Sequence, residues 1–377
     1  MKVALVHDWL TNMGGAERVV INFKELYENS PIYTTIYNPD NLDNELKNID
    51  VKTSFLQNKK GAKQNHQKYF PFMPAAFESF DLNGYDVVLS SSSSCAKGVV
   101  TNPNTMHVCY CHSPMRYGWE FYYEYAYNSN MKKLKRNFLK YFINYMRVWD
   151  NVSSNRVDYF IANSENVARR IWKHYRRESV VIHPAVRCKL FNISQQDEEY
   201  FLIVSRLVEY KRVDLAVEAF NELGLPLIVI GDGAEREKLQ AKAKDNIKFL
   251  GRQPDSVIKE YYSKCRAFVF PGEEDFGITP LEAQASGRPV IAFGRGGALE
   301  TVVDGKTGIF FDEQTVDKLK EAVKKFESLS FDKNFIREHA EGFDEAIFKR
   351  KIKGFIDEKY EEFINTKIGR ASCRERV

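Results

Sequence analysis

The chain has 377 residues, more than one ordinary hydrophobic core accommodates, and the length suits two domains. Its composition, 44% hydrophobic and 28% charged, is that of a folded globular chain; 55 Lys and Arg against 51 Asp and Glu leave a net charge of only +4, too balanced to mark a nucleic-acid-binding protein. No run of about 18 apolar residues occurs, so no segment reads as a membrane span.

The chain opens on an apolar strand, Val3–Val6, without the long apolar stretch of a signal peptide. Met13-Gly14-Gly15-Ala16-Glu17-Arg18 follows it, a glycine pair that is not a Gly-x-Gly-x-x-Gly dinucleotide motif. The strand Val87–Leu89 leads into Ser90–Ser94, read as a capped turn rather than a hydroxyl-rich acceptor edge, and His107–Cys111 leads into His112-Ser113-Pro114. Aromatic residues then crowd 117–127, and Lys132, Lys133, Lys135, Arg136, Lys140 and Arg147 alternate with Phe138, Tyr141, Phe142 and Tyr145, with no acid between Asn128 and Trp149. That stretch reads either as a core-packing helix with a solvated basic side or as a helix lying on an anionic membrane surface. Tyr159–Ala162 precedes Asn163-Ser164, a helix N-cap, and Val180–His183 closes the first series.

Polar 192–199 reads as a linker, and a second series follows: Phe201–Val204, Leu227–Ile230, Ile247–Leu250, Ala267–Phe270, Val290–Phe293 and Gly308–Phe310. Strands alternating with helical patterns predict an α/β fold of two doubly wound, parallel-sheet Rossmann-like domains, residues 1–191 and 200–343. A helix over 344–366 is free to pack back on the first domain, and 367–377 reads as a non-native tail. The cysteines, Cys95, Cys109, Cys111, Cys188, Cys265 and Cys373, complete no zinc pattern and read as reduced thiols, which points to a cytoplasmic protein. In open α/β sheets ligands lie beyond the carboxyl ends of the strands, so the residues just after each strand, facing a central cleft, are the informative ones.

Three such stretches stand out in the second half. Ser205-Arg206-Leu207 with Lys211 follows Phe201–Val204, and Gly251-Arg252 follows Ile247–Leu250. After Ala267–Phe270 comes Glu273-Glu274-Asp275-Phe276-Gly277-Ile278-Thr279-Pro280-Leu281-Glu282, in which Thr279 reads as an N-cap with Pro280 at the first helical position. Taken alone, Glu282 completes a capping box with Thr279. Together, Glu274-x7-Glu282 with Phe276-Gly277 inside it and Gly287-x-Pro289-Val290 after it resembles the donor signature of family-4 glycosyltransferases, enzymes of the two-domain arrangement called GT-B.

The resemblance covers roughly residues 1–345. It implies that Glu274 binds donor-sugar hydroxyls, Glu282 the nucleotide ribose, and the amides of Phe276, Gly277, Ile278 and Thr279 the diphosphate and sugar. It implies further that Arg206 and Lys211 clamp the diphosphate, that Gly251 and Arg252 lie near the base, that Gly296-Gly297 with Glu300 form a loop beneath the donor, and that Gly14 and Gly15 lie by the diphosphate and acceptor. His112 matches a histidine that reaches the transferred sugar. Arg187 departs from the family, which commonly has aspartate there. The expected reaction is retaining hexose transfer, most simply from GDP-mannose, to a lipid-linked or polysaccharide acceptor such as an O-antigen or capsule. Arg206, Lys211, Glu274 and His112 carry the chemistry. No cofactor is expected, and no Asp-x-Asp motif is present to hold a metal. A UDP-sugar donor, a sugar-nucleotide epimerase and an inactive nucleotide-sugar-binding scaffold are the alternatives.

Overall fold

A strand buried on both faces must be apolar or have its polar side chains hydrogen-bonded, and β1 (Val3–His7), β4 (Val87–Ser92), β5 (Met106–Cys111), β11 (Ala267–Phe270) and β12 (Val290–Phe293) are buried at every position. In the computed structural model the backbone is described for residues 1–123 and 133–374, and side chains for 1–123 and 136–366. Tyr125, Tyr127, Lys132, the Lys133, Lys135 and Cys373 side chains and residues 375–377 lie outside the described residues.

The chain divides into two compact units, 1–182 with 349–377, and 183–348. The first holds a seven-stranded sheet in the order β3-β2-β1-β4-β5-β6-β7, where β2 is Ile32–Thr34, β3 Val51–Thr53, β6 Tyr159–Ala162 and β7 Ser179–Val181. The second holds a six-stranded sheet, β10-β9-β8-β11-β12-β13, with β8 Phe201–Val204, β9 Leu227–Ile230, β10 Ile247–Gly251 and β13 Gly308–Phe311. Every strand pair is parallel. The strand order reverses between β1 and β4 in one sheet and between β8 and β11 in the other. At such switch points the connections leave in opposite directions and open a crevice at the carboxyl ends.

Several elements differ from the sequence expectation. Ser90–Ser92 continue β4 rather than turning, because the sheet supplies partners for the hydroxyls: Ser90 Oγ lies 2.8 Å from His107 Nε2, and Ser91 Oγ 2.8 Å from His112 Nε2. The strand ends where Asp8 captures the next loop, its carboxylate accepting from the amides of Ser93, Cys95 and Ala96 at 2.7–2.8 Å. The three-residue strands β2 and β3 are too short to show a period. The units part at Ile182/His183, ahead of the expected linker at 192–199 and of a first domain ending at 191. The reason is that Val186 bridges to Asp344 and that Cys188 and Phe191 sit in the second unit's core. The last helix runs Glu345–Arg374, longer than the expected 344–366 and continuous through 367–374 of the residues read as a tail. From Lys349 onward it belongs to the first unit, through the Lys349–Glu25 ion pair and Phe355 edge-on to Tyr159.

The basic, aromatic stretch forms the helix Lys133–Ser153. Phe138, Tyr141, Tyr145, Val148 and Val152 recur at three- and four-residue spacing and are 54–80% exposed, an apolar ridge on the outer face. Arg147 does not join a basic surface: its Nε donates to Gly118 O at 2.8 Å and its guanidinium covers the Trp119 and Tyr122 rings.

Candidate active site

At the second unit's switch point the loops after β8 and β11 meet. Lys211 Nζ and the Glu274 carboxylate form an ion pair, both about one-fifth exposed or less, and they line a shallow pocket with Ser205, Val213, Pro271 and Gly272. Arg206 stands exposed on the same β8 loop, its guanidinium donating to Tyr210 Oη at 3.2 Å. The sheet thus brings together Lys211 and Glu274, more than 60 residues apart in sequence, with Arg206 on the same loop as Lys211. Gly231, after β9, lies against that loop at φ +137°, and a Cβ there would stand 1.8 Å from Ser205 O, so only glycine lets the two loops pack.

The helix after β11 begins two residues earlier than Thr279 as N-cap would dictate. Gly277, at φ +84°, is its N-cap, the helix spans Ile278–Ala285, and no side chain caps it. A left-handed turn that glycine adopts without penalty starts the helix at Ile278, leaving Thr279 already helical and Pro280 third, where a missing N–H breaks no intrahelical bond. The expected capping box is therefore not formed. Glu282 is instead buried, 6% exposed, and accepts from Tyr262 Oη at 3.1 Å. Phe276 turns its ring into the core against His183, centroids 5.2 Å apart and near-parallel, so only its backbone faces the loop. Gly297 N donates to Glu274 O at 2.9 Å, and His183 Nε2 lies 2.9 Å from Glu300 Oε2; the Gly296-Gly297 loop thus braces the Glu274–Phe276 backbone. Gly251 ends β10 at φ +69° with Arg252 exposed after it.

In the first unit, Gly14 caps and Gly15 opens the helix Gly15–Leu26, both exposed. His112 follows β5, its ring nitrogen Nε2 on Ser91 Oγ and its ring edge-on to Tyr110. Burial, reinforced by the nearby His7 charge, drives His112 down to about 3, so the imidazole is neutral. The sequence reading did not single out His7 or Glu17 as site residues and set Ser91 aside in a turn. Their only signal was position, at or just past strand ends, and the β1–β4 register that sets His7 opposite Ser91 is not written in either strand alone.

Two doubly wound domains, one presenting fixed cations and a carboxylate at a sheet switch point, define a fold suited to holding an anionic, hydroxyl-rich ligand. The family comparisons agree. Residues 13–190 match the model described as Glycosyltransferase Family 4 and residues 189–348 the model described as Glycosyl transferases group 1. The chain belongs to the glycosyltransferases of this family. A GDP-mannose-dependent alpha-(1-6)-phosphatidylinositol monomannoside mannosyltransferase of Mycolicibacterium smegmatis is 34% identical over 145 residues, 34% of this chain and 38% of that one. An uncharacterized glycosyltransferase of Methanocaldococcus jannaschii is 25% identical over 221 residues, 57% of this chain and 63% of that one. The alignments thus span between a third and two-thirds of these relatives. Among solved structures, Anabaena HepE in complex with UDP and glucose superposes with a TM-score of 0.70 at 17% identity, over 95% of this chain and 99% of that one, a likeness of fold.

Proposed function

We propose that this protein is a retaining glycosyltransferase that moves mannose from GDP-mannose to a saccharide acceptor carried on a lipid. The observation that carries the reading is the meeting of Lys211 and Glu274, with Arg206 beside them, at the β8/β11 switch point. Glycosyl transfer expels a nucleoside diphosphate. Two fixed cations offset the charge growing on that leaving group, and a carboxylate that accepts two hydrogen bonds orients sugar hydroxyls. Arg206 and Lys211 supply that charge without a metal ion, with Glu282 on the ribose and His112 on the transferred sugar. The mannosyl donor is favoured by the named relative. Thermal-shift screening against GDP-mannose, UDP-glucose and UDP-galactose tests the donor, since a ligand of the native state alone must stabilise it. GDP-mannose is expected to raise Tm and to support turnover that EDTA leaves unchanged. Stabilisation by UDP-sugars alone would replace the base, and stabilisation by none would overturn the reading.

Glu282→Gln separates ribose binding from packing. Glutamine keeps an oxygen for Tyr262, so Tm should stay within a few degrees, whereas the loss of a charged acceptor should weaken donor binding by about tenfold. Unchanged affinity in a folded variant would assign Glu282 to packing alone.

The exposed ridge on the Lys133–Ser153 helix supports the lipid-linked acceptor. Aromatic and aliphatic side chains at interfacial spacing enter the headgroup boundary, and a basic stretch with no acid between Asn128 and Trp149 is drawn to anionic lipid. Sedimentation with phosphatidylglycerol vesicles should carry the protein down at low salt, and replacing Phe138, Tyr141 and Tyr145 by Ser should release it while leaving the donor-induced thermal shift intact. If the native protein ignores such vesicles at low salt, the acceptor is soluble and the ridge serves another contact.

A further inference from the structure

Behind His112 runs a chain of buried polar groups that donor binding does not use. His7 closes β1 directly opposite Ser91 of β4, and parallel pairing turns both side chains to one side of the sheet. His7 Nδ1 lies 3.2 Å from Ser91 O and 3.1 Å from Ser91 Oγ; His7 Nε2 lies 3.4 Å from Glu17 Oε1; Ser91 Oγ lies 2.8 Å from His112 Nε2. His7 and Ser91 are fully buried and Glu17 nearly so.

The chemistry of the partners fixes the hydrogens. A carbonyl oxygen and a carboxylate only accept, so both ring nitrogens of His7 donate and the ring is an imidazolium. Burial alone would pull His7 down, but the Glu17 hydrogen bond and charge, then Asp8, outweigh it and hold the ring above its ordinary value. The one His7 Nδ1–H is shared between Ser91 O and Ser91 Oγ, so the Ser91 hydroxyl does not donate to His7 and gives its single hydrogen to His112 Nε2. That nitrogen therefore accepts, and the one proton of the neutral His112 ring sits on Nδ1.

We infer that Glu17, His7 and Ser91 are positioning residues that hold His112 in its Nδ1–H tautomer, so that it offers the transferred sugar a hydrogen-bond donor directed at an oxygen lone pair. The inference rests on the role proposed for His112. It also accounts for glycine at position 14, because a Cβ on Gly14 would stand 2.9 Å from Glu17 Oε2, and the small residue leaves the carboxylate its place beside His7. With the opposite tautomer, Nδ1 would accept and could hold a sugar only through a hydroxyl hydrogen. The chain therefore selects which sugar oxygens His112 serves, ethereal as well as hydroxyl.

Nitrogen-15 spectra of the histidine rings report the tautomer directly, with His112 assigned by its loss in His112→Asn. The native protein is expected to show His112 as Nδ1–H. Ser91→Ala and Glu17→Gln should shift it toward Nε2–H and lower kcat about tenfold with donor KM unchanged, and Glu17→Asp should restore most of both. A native His112 in the Nε2–H form overturns the inference without need of any variant, as does an unaltered tautomer and kcat in both folded variants. Should the native enzyme transfer no sugar, the functional reading fails while the spectra still decide the tautomer.

Discussion

Lys211→Ala should lower kcat by on the order of 10² or more, and Arg206→Ala by a similar factor, because on the proposed function each removes a fixed charge from the diphosphate leaving group. The two losses differ in origin. Arg206 is exposed and touches Tyr210 Oη, so its removal subtracts one cation and disturbs little else. Lys211 also holds the Glu274 carboxylate, so its removal frees the acid meant to orient sugar hydroxyls. A Lys211→Ala, Glu274→Ala double variant should consequently lose much less than the product of its single effects, the signature of residues acting as a unit. Steady-state turnover of GDP-mannose, with circular dichroism to confirm folding, measures Lys211→Ala, Arg206→Ala, Glu274→Ala and the double variant. Near-normal kcat in both Lys211→Ala and Arg206→Ala would remove the charge-stabilisation argument.

That pair was legible in the sequence because each member follows an apolar run, and such runs in a parallel sheet announce their own ends. The rule that ligands gather at carboxyl ends placed Arg206 and Lys211 after Phe201–Val204 and Glu274 after Ala267–Phe270 among the residues to watch, and the resemblance to family-4 glycosyltransferases assigned their expected roles. What stayed hidden depended on pairing. Ser90–Ser92 look like a turn until His107 and His112 on the adjoining strand answer their hydroxyls. His7 and Glu17 gain meaning only when the β1–β4 register brings them to Ser91. Thr279 and Glu282 have the spacing of a capping box, yet Gly277 caps the helix two residues early and Tyr262 claims the acid. Local propensity was right about the helix and wrong about its first residue, where a single positive-φ glycine decides. The basic stretch misled differently, since composition counts Arg147 as surface charge while the fold lays it over Trp119 and Tyr122.

Lys97→Met should destabilise the first unit by about 3–5 kcal/mol, the range for removing one partner of a buried ion pair. Lys97 and Asp150 are 1% and 0% exposed and bonded to each other. The Asp150 carboxylate also accepts from Trp119 Nε1 at 2.8 Å and Tyr175 Oη at 2.9 Å, so one acid ties the loop after β4 to three later segments, among them the helix carrying the exposed ridge. Methionine fills the lysine's volume but leaves that acid without a counter-charge. All four tryptophans, Trp9, Trp119, Trp149 and Trp172, lie in the first unit, so their fluorescence in a urea titration follows this unit and not the other. Asp150→Asn probes the same pair from the opposite side and adds a pH signature. In the native protein burial pulls Lys97 down and Asp150 more than offsets it, holding the amine above its usual value. That stabilisation is full below the unfolded lysine pKa and is lost only as pH climbs through the higher folded value. With asparagine the offset disappears, the folded pKa drops below the unfolded one, and the unfolded chain binds more protons between the two. Stability of Asp150→Asn should therefore rise as pH is raised from 7 toward 10, while no such gain from Lys97 is available to the native protein. A Lys97→Met loss below about 1 kcal/mol, the scale of an exposed pair, would show that Lys97 and Asp150 are hydrated in solution and that the anchor lies elsewhere.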